Sequence, residues 1–353
     1  MLVVDDSALV RSILCVIINQ QNDMECIGSA NDPLIAREMI RELNPDVITL
    51  DVEMPHMDGI DFLERLMRLR PMPVVMISTL TERGADVTIR ALELGAVDFV
   101  AKPRLGVANG LMKLSAQIVE KVRIASSVVV GRAVLKPKMI AESTERAIAV
   151  SRPNPCLSRA YTKKLICIGA STGGTEAIKE ILSRLPSNSP GVVVTQHMPA
   201  GFTYSFAMRL NSLCQITVKE AVNGEKILSG HAYIAPGGMH LRISGDGCNY
   251  IAEVMDGDLV NRHKPSVEVL FRSVAKAAGK NAFGIMLTGM GNDGAVAMRE
   301  MRDAGSYNYV QNEASCVVFG MPKEAILQGA ADEVLGIVEI APALLARLRC
   351  SVD

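Results

Sequence analysis

The chain has no tryptophan, and only 4% of its 353 residues are aromatic. That scarcity argues against a surface that stacks bases. The formal net charge is -1, so no electrostatic argument favours nucleic acid or an anionic membrane as partner. The 8 cysteines include no C-x-x-C pair. Several sit in apolar runs, which reads as buried free thiols and fits a reducing cytoplasm. No apolar run approaches the roughly 20 residues that span a bilayer. Asp5 and Asp6 follow only a few apolar residues, so neither direct membrane insertion nor a secretory signal is expected. There is no internal repeat. What is present is ample apolar material, 49% of residues, in a chain long enough for about two domains.

From Leu2 to about Glu120, short apolar runs alternate with segments of helical period, such as Leu34 to Leu43 and Val87 to Leu94. The runs Leu2 to Val4, Asp46 to Asp51, Val74 to Ser78 and Val97 to Lys102 read as strands. This alternation predicts a parallel sheet with helices on both faces, whose ligands sit at the carboxyl ends of the strands. Polar residues stand at those ends: Asp5 and Asp6, Asp51, Ser78 and Lys102. Three carboxylates packed together require a cation, and hard oxygen ligands with water positions left open suit Mg²⁺. A hydroxyl and an ammonium beside them would steady an incoming phosphoryl group, with Asp51 as the nucleophile that takes it. Any one of these aspartates alone reads as an ordinary solvated strand end. The joint set does not.

Val4-Asp5-Asp6-Ser7, Leu50-Asp51-Val52-Glu53-Met54-Pro55, Met57-Asp58-Gly59, Ser78 and Lys102-Pro103 resemble the response-regulator receiver family, from Leu2 to about Val122. The resemblance implies a flavodoxin-like doubly wound sheet with Asp51 as phosphoacceptor. It implies Mg²⁺ held by Asp6, Asp51 and the backbone carbonyl of Glu53, with Asp5 acting largely through water. Phe99 occupies the family's switch-aromatic position, alongside Ser78 and Lys102. The chain begins at Met1-Leu2, so the first strand is shorter than usual in that family.

A looser stretch follows, with Ser151-Arg152-Pro153-Asn154-Pro155 as its clearest linker. The expected organisation is residues 1–124, a linker over 125–163, and a second α/β domain over 164–353. That second domain opens on Leu165-Ile166-Cys167-Ile168-Gly169-Ala170-Ser171-Thr172-Gly173-Gly174, which fits the G-x-S-x-G strand–turn–helix of a nucleophile elbow. Thr175 is the expected cap of a helix that buries Ala177, Ile178, Ile181, Leu182 and Leu185. The run from Gly191 to Thr195 leads to His197, and the run from Phe283 to Leu287 leads to the glycine-rich turn that holds Asp293. A serine hydroxyl needs a base, and the base needs an orienting partner. His197 and Asp293 supply both. The N–H of Thr172 and the glycine-flanked Met290 are the candidate oxyanion donors. A glycine-rich turn also suits phosphate or nucleotide binding, but no Walker lysine follows it and no complete G-x-G-x-x-G is present. No helix-turn-helix signal points to DNA-binding output.

The second half is similar to the chemotaxis protein-glutamate methylesterase (CheB) family. The similarity rests on Gly169 to Gly174, Thr195-Gln196-His197-Met198-Pro199, Ala235-Pro236-Gly237-Gly238 with His240, Pro265 to Phe271, Leu287 to Gly294 and Gln311 to Pro322. It implies Ser171 as nucleophile, His197 as general base and acid, Asp293 as orienter, and Thr172 with the Met290 backbone in transition-state support. It further implies a cytoplasmic enzyme, expected as a monomer, that needs no cofactor for the esterase. Such an enzyme is phosphorylated by a chemotaxis histidine kinase. It demethylates glutamate γ-methyl esters, and deamidates glutamines, on methyl-accepting chemoreceptors. A receiver packed over the Ser171 opening would exclude a helical substrate until phosphorylated; moving such an equilibrium from 1:99 to 99:1 takes about 5.5 kcal/mol. The other reading is a phosphorylation-controlled binding module without catalysis. Ser306-Tyr307-Asn308-Tyr309-Val310 departs from the smaller residues expected before the Gln-Asn-Glu stretch, which predicts altered packing there.

Overall fold

The computed structural model describes residues 1–54, 58–79, 82–103, 107–128, 163–245 and 249–350. Pro55, His56, Met57 and nearly all of the expected linker therefore lie outside the described residues, as do Cys156 and Cys248. The chain divides into two compact units, Met1–Val134 and Leu135–Asp353.

The first unit alternates strand and helix throughout: β1 (Leu2–Val4), α1 (Ala8–Asn19), β2 (Gly28–Ala30), α2 (Pro33–Leu43), β3 (Ile48–Asp51), α3 (Gly59–Leu69), β4 (Val74–Thr79), α4 (Glu82–Glu93) and β5 (Asp98–Lys102), then α5 (Val107–Lys113) and α6 (Ser115–Ser127). α1, α2 and α3 start where a side chain takes up one or two of their first amides. Asp32 accepts from Leu34 and Ile35 at 2.8 and 2.9 Å, with Pro33 at the first helical position. Asp58 accepts from Ile60 at 3.1 Å. The five strands are parallel in the order β2-β1-β3-β4-β5. The order reverses between β1 and β3, so Asp5, Asp6 and Asp51 stand at the switch point where such sheets bind ligands.

The second unit runs β6 (Leu165–Ala170), α7 (Gly174–Leu182), β7 (Gly191–Gln196), α8 (Phe202–Asn211), β8 (Thr217–Glu220), β9 (His231–Ile234), β10 (His240–Gly245), β11 (Tyr250–Met255), α9 (Val267–Ala277), β12 (Ala282–Met286), α10 (Ala295–Asp303), β13 (Tyr307–Gln311), α11 (Met321–Leu327), β14 (Glu333–Leu335) and α12 (Ile337–Cys350). Seven strands form one sheet in the order β14-β13-β12-β6-β7-β9-β8, every pairing parallel. β10 and β11 form a separate antiparallel pair. β6 and β7 are buried at every position, as strands covered on both faces must be. Gly169 pairs with Met286 on one side and Thr195 on the other, so the ends of β12, β6 and β7 lie side by side. Here too the switch point falls between β12 and β7, around β6. Both sheets match the expected fold class.

Two expectations change. The N-cap of α7 is Gly173, in the left-handed region, and Thr175 lies buried inside the first turn. The chain leaves β6 through a turn that only glycine accommodates, so backbone geometry overrides the side-chain cap. Among the described cysteines only Cys167 is buried; Cys15, Cys26, Cys214 and Cys316 are partly exposed and Cys350 is exposed. Apolar neighbours in sequence do not bury a residue that stands on a helix flank, as Cys15 does, or in a loop, as Cys26, Cys214 and Cys316 do. The tyrosines of β13 do have a structural account. The Arg347 guanidinium lies 3.2 Å from the Tyr307 ring centroid, the Tyr307 hydroxyl donates to Glu333 at 2.6 Å, and Tyr309 packs edge-on at 5.3 Å.

Candidate active site and acidic cluster

Ser171 follows β6 directly. Its carbonyl accepts from the Gly174 amide at 2.7 Å, closing a tight turn in which Gly173 holds φ 77° and ψ -3°. That is the glycine position of a type II turn. A side chain on Gly173 would also meet the Val317 Cβ at 2.6 Å. The loop after β12 lies against the serine: the Ser171 amide donates to Thr288 at 3.0 Å, and a Cβ on Gly289 would come within 2.7 Å of the Ser171 Cβ. Thr172 is buried on the turn and Met290, exposed, sits next to Gly289. The sharp strand–turn–helix read from the sequence is thus present, with both candidate oxyanion residues beside it.

His197 follows β7, and its amide donates to Ala170 at 3.1 Å, one residue before the serine. Its Nε2 lies 2.8 Å from Asp293 Oδ2. With Nε2 committed to the carboxylate, Nδ1 is the remaining ring nitrogen, and it is buried without a hydrogen-bond partner. The imidazole is stacked on His263, centroids 3.6 Å apart and planes 9° from parallel.

Asp293 is almost fully buried and collects donors on both oxygens. Oδ2 accepts from the Val267 amide at 2.7 Å as well as facing His197. Oδ1 accepts from Asn261 at 2.9 Å, the Ser266 hydroxyl at 2.8 Å and the Glu268 amide at 3.3 Å. Val267 and Glu268 open α9, so the carboxylate sits at a helix N-terminus, where the dipole favours negative charge. Burial alone would push this carboxyl up. The bonds from His197, Asn261 and Ser266 outweigh it and hold the group at about 2, below its ordinary 3.8. Glu268 does for α10 what Asp293 does for α9: it accepts from Gly294 and Ala297 at 3.1 and 3.3 Å, which ties the two helix starts together.

Sequence reasoning did not find Asn261, Ser266, His263, Thr288 or the Gln196 side chain. Only Ser266 had a usable signal, a serine just before the apolar period Val267, Leu270, Phe271 and Val274. His240, named among the residues that carry the family similarity but given no role, accepts the Ser266 amide at 3.3 Å.

In the first unit, Lys102 Nζ lies 2.6 Å from Asp51 Oδ2 and 2.8 Å from Asp5 Oδ2, all three residues buried. Burial pushes Asp51 up to about 6; Asp5 adds to the rise and Lys102 opposes it. Asp5 is raised for the same first reason. Burial pulls Lys102 down, but the two carboxylates outweigh it and leave it raised. Asp6 is exposed, and one carboxylate oxygen each from Asp5, Asp6 and Asp51 lie within 4.8 Å of one another. Three carboxylates against one ammonium leave negative charge uncompensated, so an all-oxygen site here fits a hard divalent cation. Glu53 follows at the rim with its side chain exposed. The Ser78 hydroxyl is buried and donates to Gly84 at 3.3 Å. Phe99 is buried, with the Lys121 ammonium 5.4 Å from its ring centroid.

Comparison with known proteins bears on both halves of the chain. The CheB methylesterase family model matches residues 166–344, and the response regulator receiver domain model matches residues 1–107. A protein-glutamate methylesterase/protein-glutamine glutaminase of Albidiferax ferrireducens is 72% identical over 99% of this chain and 94% of its own length. One of Methylobacillus flagellatus is 58% identical over 98% of this chain and 96% of its own length. Among solved structures, the Thermotoga maritima CheB methylesterase catalytic domain is 38% identical with a TM-score of 0.51, covering 52% of this chain and 97% of that domain. The chain belongs to the CheB methylesterase family and carries a response regulator receiver domain ahead of its esterase domain.

Proposed function

We propose that this chain is a phosphorylation-activated protein-glutamate methylesterase with glutamine deamidase activity, acting on chemoreceptors. Its curated relatives carry both activities in their names. The observation that supports the residue roles is the His197–Asp293 contact at 2.8 Å, which leaves Nδ1, buried and without a hydrogen-bond partner, as the uncommitted ring nitrogen.

Ser171 Oγ attacks the side-chain carbonyl of a glutamate γ-methyl ester while Nδ1 of His197 takes its proton. The tetrahedral oxyanion is met by the backbone N–H groups of Thr172 and Met290. His197 returns the proton to the departing methoxide, and methanol leaves. Water then attacks the acyl-enzyme, giving its proton to His197, which passes it to Ser171 as the glutamate carboxylate departs. With glutamine the same sequence releases ammonia. Asp293, anionic across the working pH range, holds Nε2–H and stabilises the imidazolium. The intact pair disfavours a binding module that has lost catalysis.

In the receiver domain, limited by our reading to residues 1–124, Asp51 accepts the phosphoryl group from a histidine kinase. Asp6, Asp51 and the Glu53 carbonyl would hold Mg²⁺, with Asp5 behind them, and the bound ion would neutralise charge on the phosphoryl oxygens. Lys102 and Ser78 contact the phosphoryl group, and Phe99 repacks with Ser78. No helix among the described residues is long and apolar enough to cross a membrane, and we place the enzyme in the cytoplasm as a monomer. The test is methanol release from a methylated chemoreceptor, with and without an acyl phosphate donor. Release that rises with the donor in the native chain, and is lost in His197→Ala, supports the reading. No release from the native chain overturns it.

A further inference from the structure

β7 ends in Gln196, whose side chain is almost fully buried. Its Nε2 donates to the Ser171 carbonyl at 2.9 Å and to the His197 carbonyl at 3.4 Å. Its Oε1 is buried and has no hydrogen-bond partner. The orientation is fixed by chemistry, since a turned carboxamide would set Oε1 against two carbonyl oxygens. The fit is tight as well: a Cβ on Gly174 would lie 2.1 Å from Oε1. A buried acceptor left unmade is costly, so the two bonds through Nε2 are retained at the expense of the third.

These bonds set the direction of a catalytic peptide plane. In a trans peptide the C=O and the following N–H point opposite ways. Holding the Ser171 oxygen, by Gln196 and by the Gly174 amide, therefore directs the Thr172 N–H away from Gln196. The next plane is held similarly, because Thr288 Oγ1 donates to the Thr172 carbonyl at 3.0 Å. The same Gln196 amide also ties the backbone of Ser171 to that of His197.

We propose that Gln196 is a positioning residue for ester hydrolysis, fixing the Ser171–Thr172 peptide plane and the spacing between nucleophile and base. The inference rests on the assignment of Ser171 and His197 proposed above. The test uses the full chain and Gln196→Met, which fills similar space without a donor. The readouts are kcat and KM on methylated receptor, the rate at which a fluorophosphonate labels Ser171, and thermal unfolding. A misdirected oxyanion donor is expected to lower kcat and the labelling rate together by about 10- to 100-fold, less than outright loss of a donor, with KM within about 2-fold and a cooperative unfolding transition retained. If Gln196→Met does not fold, Gln196→Asn replaces it, keeping an amide in the pocket but one methylene short of the Ser171 oxygen. Unchanged kcat in either folded variant overturns the proposal. So does failure of both to fold, because Gln196 would then hold the fold rather than the reaction geometry. A native chain that neither releases methanol nor labels at Ser171 overturns the functional reading instead.

Discussion

Replacing Asp293 with asparagine keeps the shape of the side chain and removes its charge. The native carboxylate receives His197, Asn261, the Ser266 hydroxyl and the Val267 and Glu268 amides. An asparagine satisfies the donors on one side only; on the other its NH₂ faces them. The charge itself carries a magnitude. Its folded value of about 2 lies below the ordinary 3.8, and at about 1.36 kcal/mol per unit this is about 2 kcal/mol of stability. The sign follows from the depressed value. The contribution is complete above about pH 5, falls as the carboxylate protonates, and is roughly half gone at about pH 3. Urea unfolding of Asp293→Asn and the native chain, followed by circular dichroism through the transition of the second unit, reads this gap. It should be at least about 2 kcal/mol at pH 7 and smaller by about 1 kcal/mol at pH 3. Ester hydrolysis should fall by about 10⁴-fold, as expected when an orienting carboxylate becomes an amide. A stability gap that is absent at pH 7, or undiminished at pH 3, would refute the idea that these donors hold an anion.

Gly173→Ala places a Cβ 2.6 Å from Val317 at a φ of 77°; it should lose about 1–2 kcal/mol of stability and most methanol release, measured by unfolding and turnover. Tyr309→Phe removes a buried hydroxyl that has no hydrogen-bond partner, so the variant should be as stable as the native chain or more stable by about 1 kcal/mol in the same unfolding assay. Asp51→Asn should abolish phosphoryl uptake from a radiolabelled acyl phosphate, and chelation of Mg²⁺ should do the same to the native chain.

Both sheets were legible because each strand is a short apolar run and each candidate residue follows its run almost immediately. Ser171, His197 and Lys102 needed no tertiary information to be placed at a sheet edge. The residues packed on Asp293 and His197 were different. Asn261 and His263 come from the turn before a cis Lys264–Pro265 bond, and nothing local in that stretch shows that it folds back onto His197. Gln196 was visible as a residue of a strand end, but its side chain points beneath the serine turn rather than into solvent. Thr175 misled because threonine is a good cap, whereas a turn at positive φ had already assigned the cap to Gly173. Lys102 was expected beside a phosphoryl group; here it bridges Asp5 and Asp51, an arrangement that depends on what else occupies the cluster.

The central claim is that Ser171 forms the acyl bond. The most direct measurement compares methanol release from methylated receptor by the native chain and by Ser171→Ala, each shown to be folded. The account predicts turnover in the first and a fall of at least about 10³- to 10⁴-fold in the second. Native-like release from the alanine variant would contradict it.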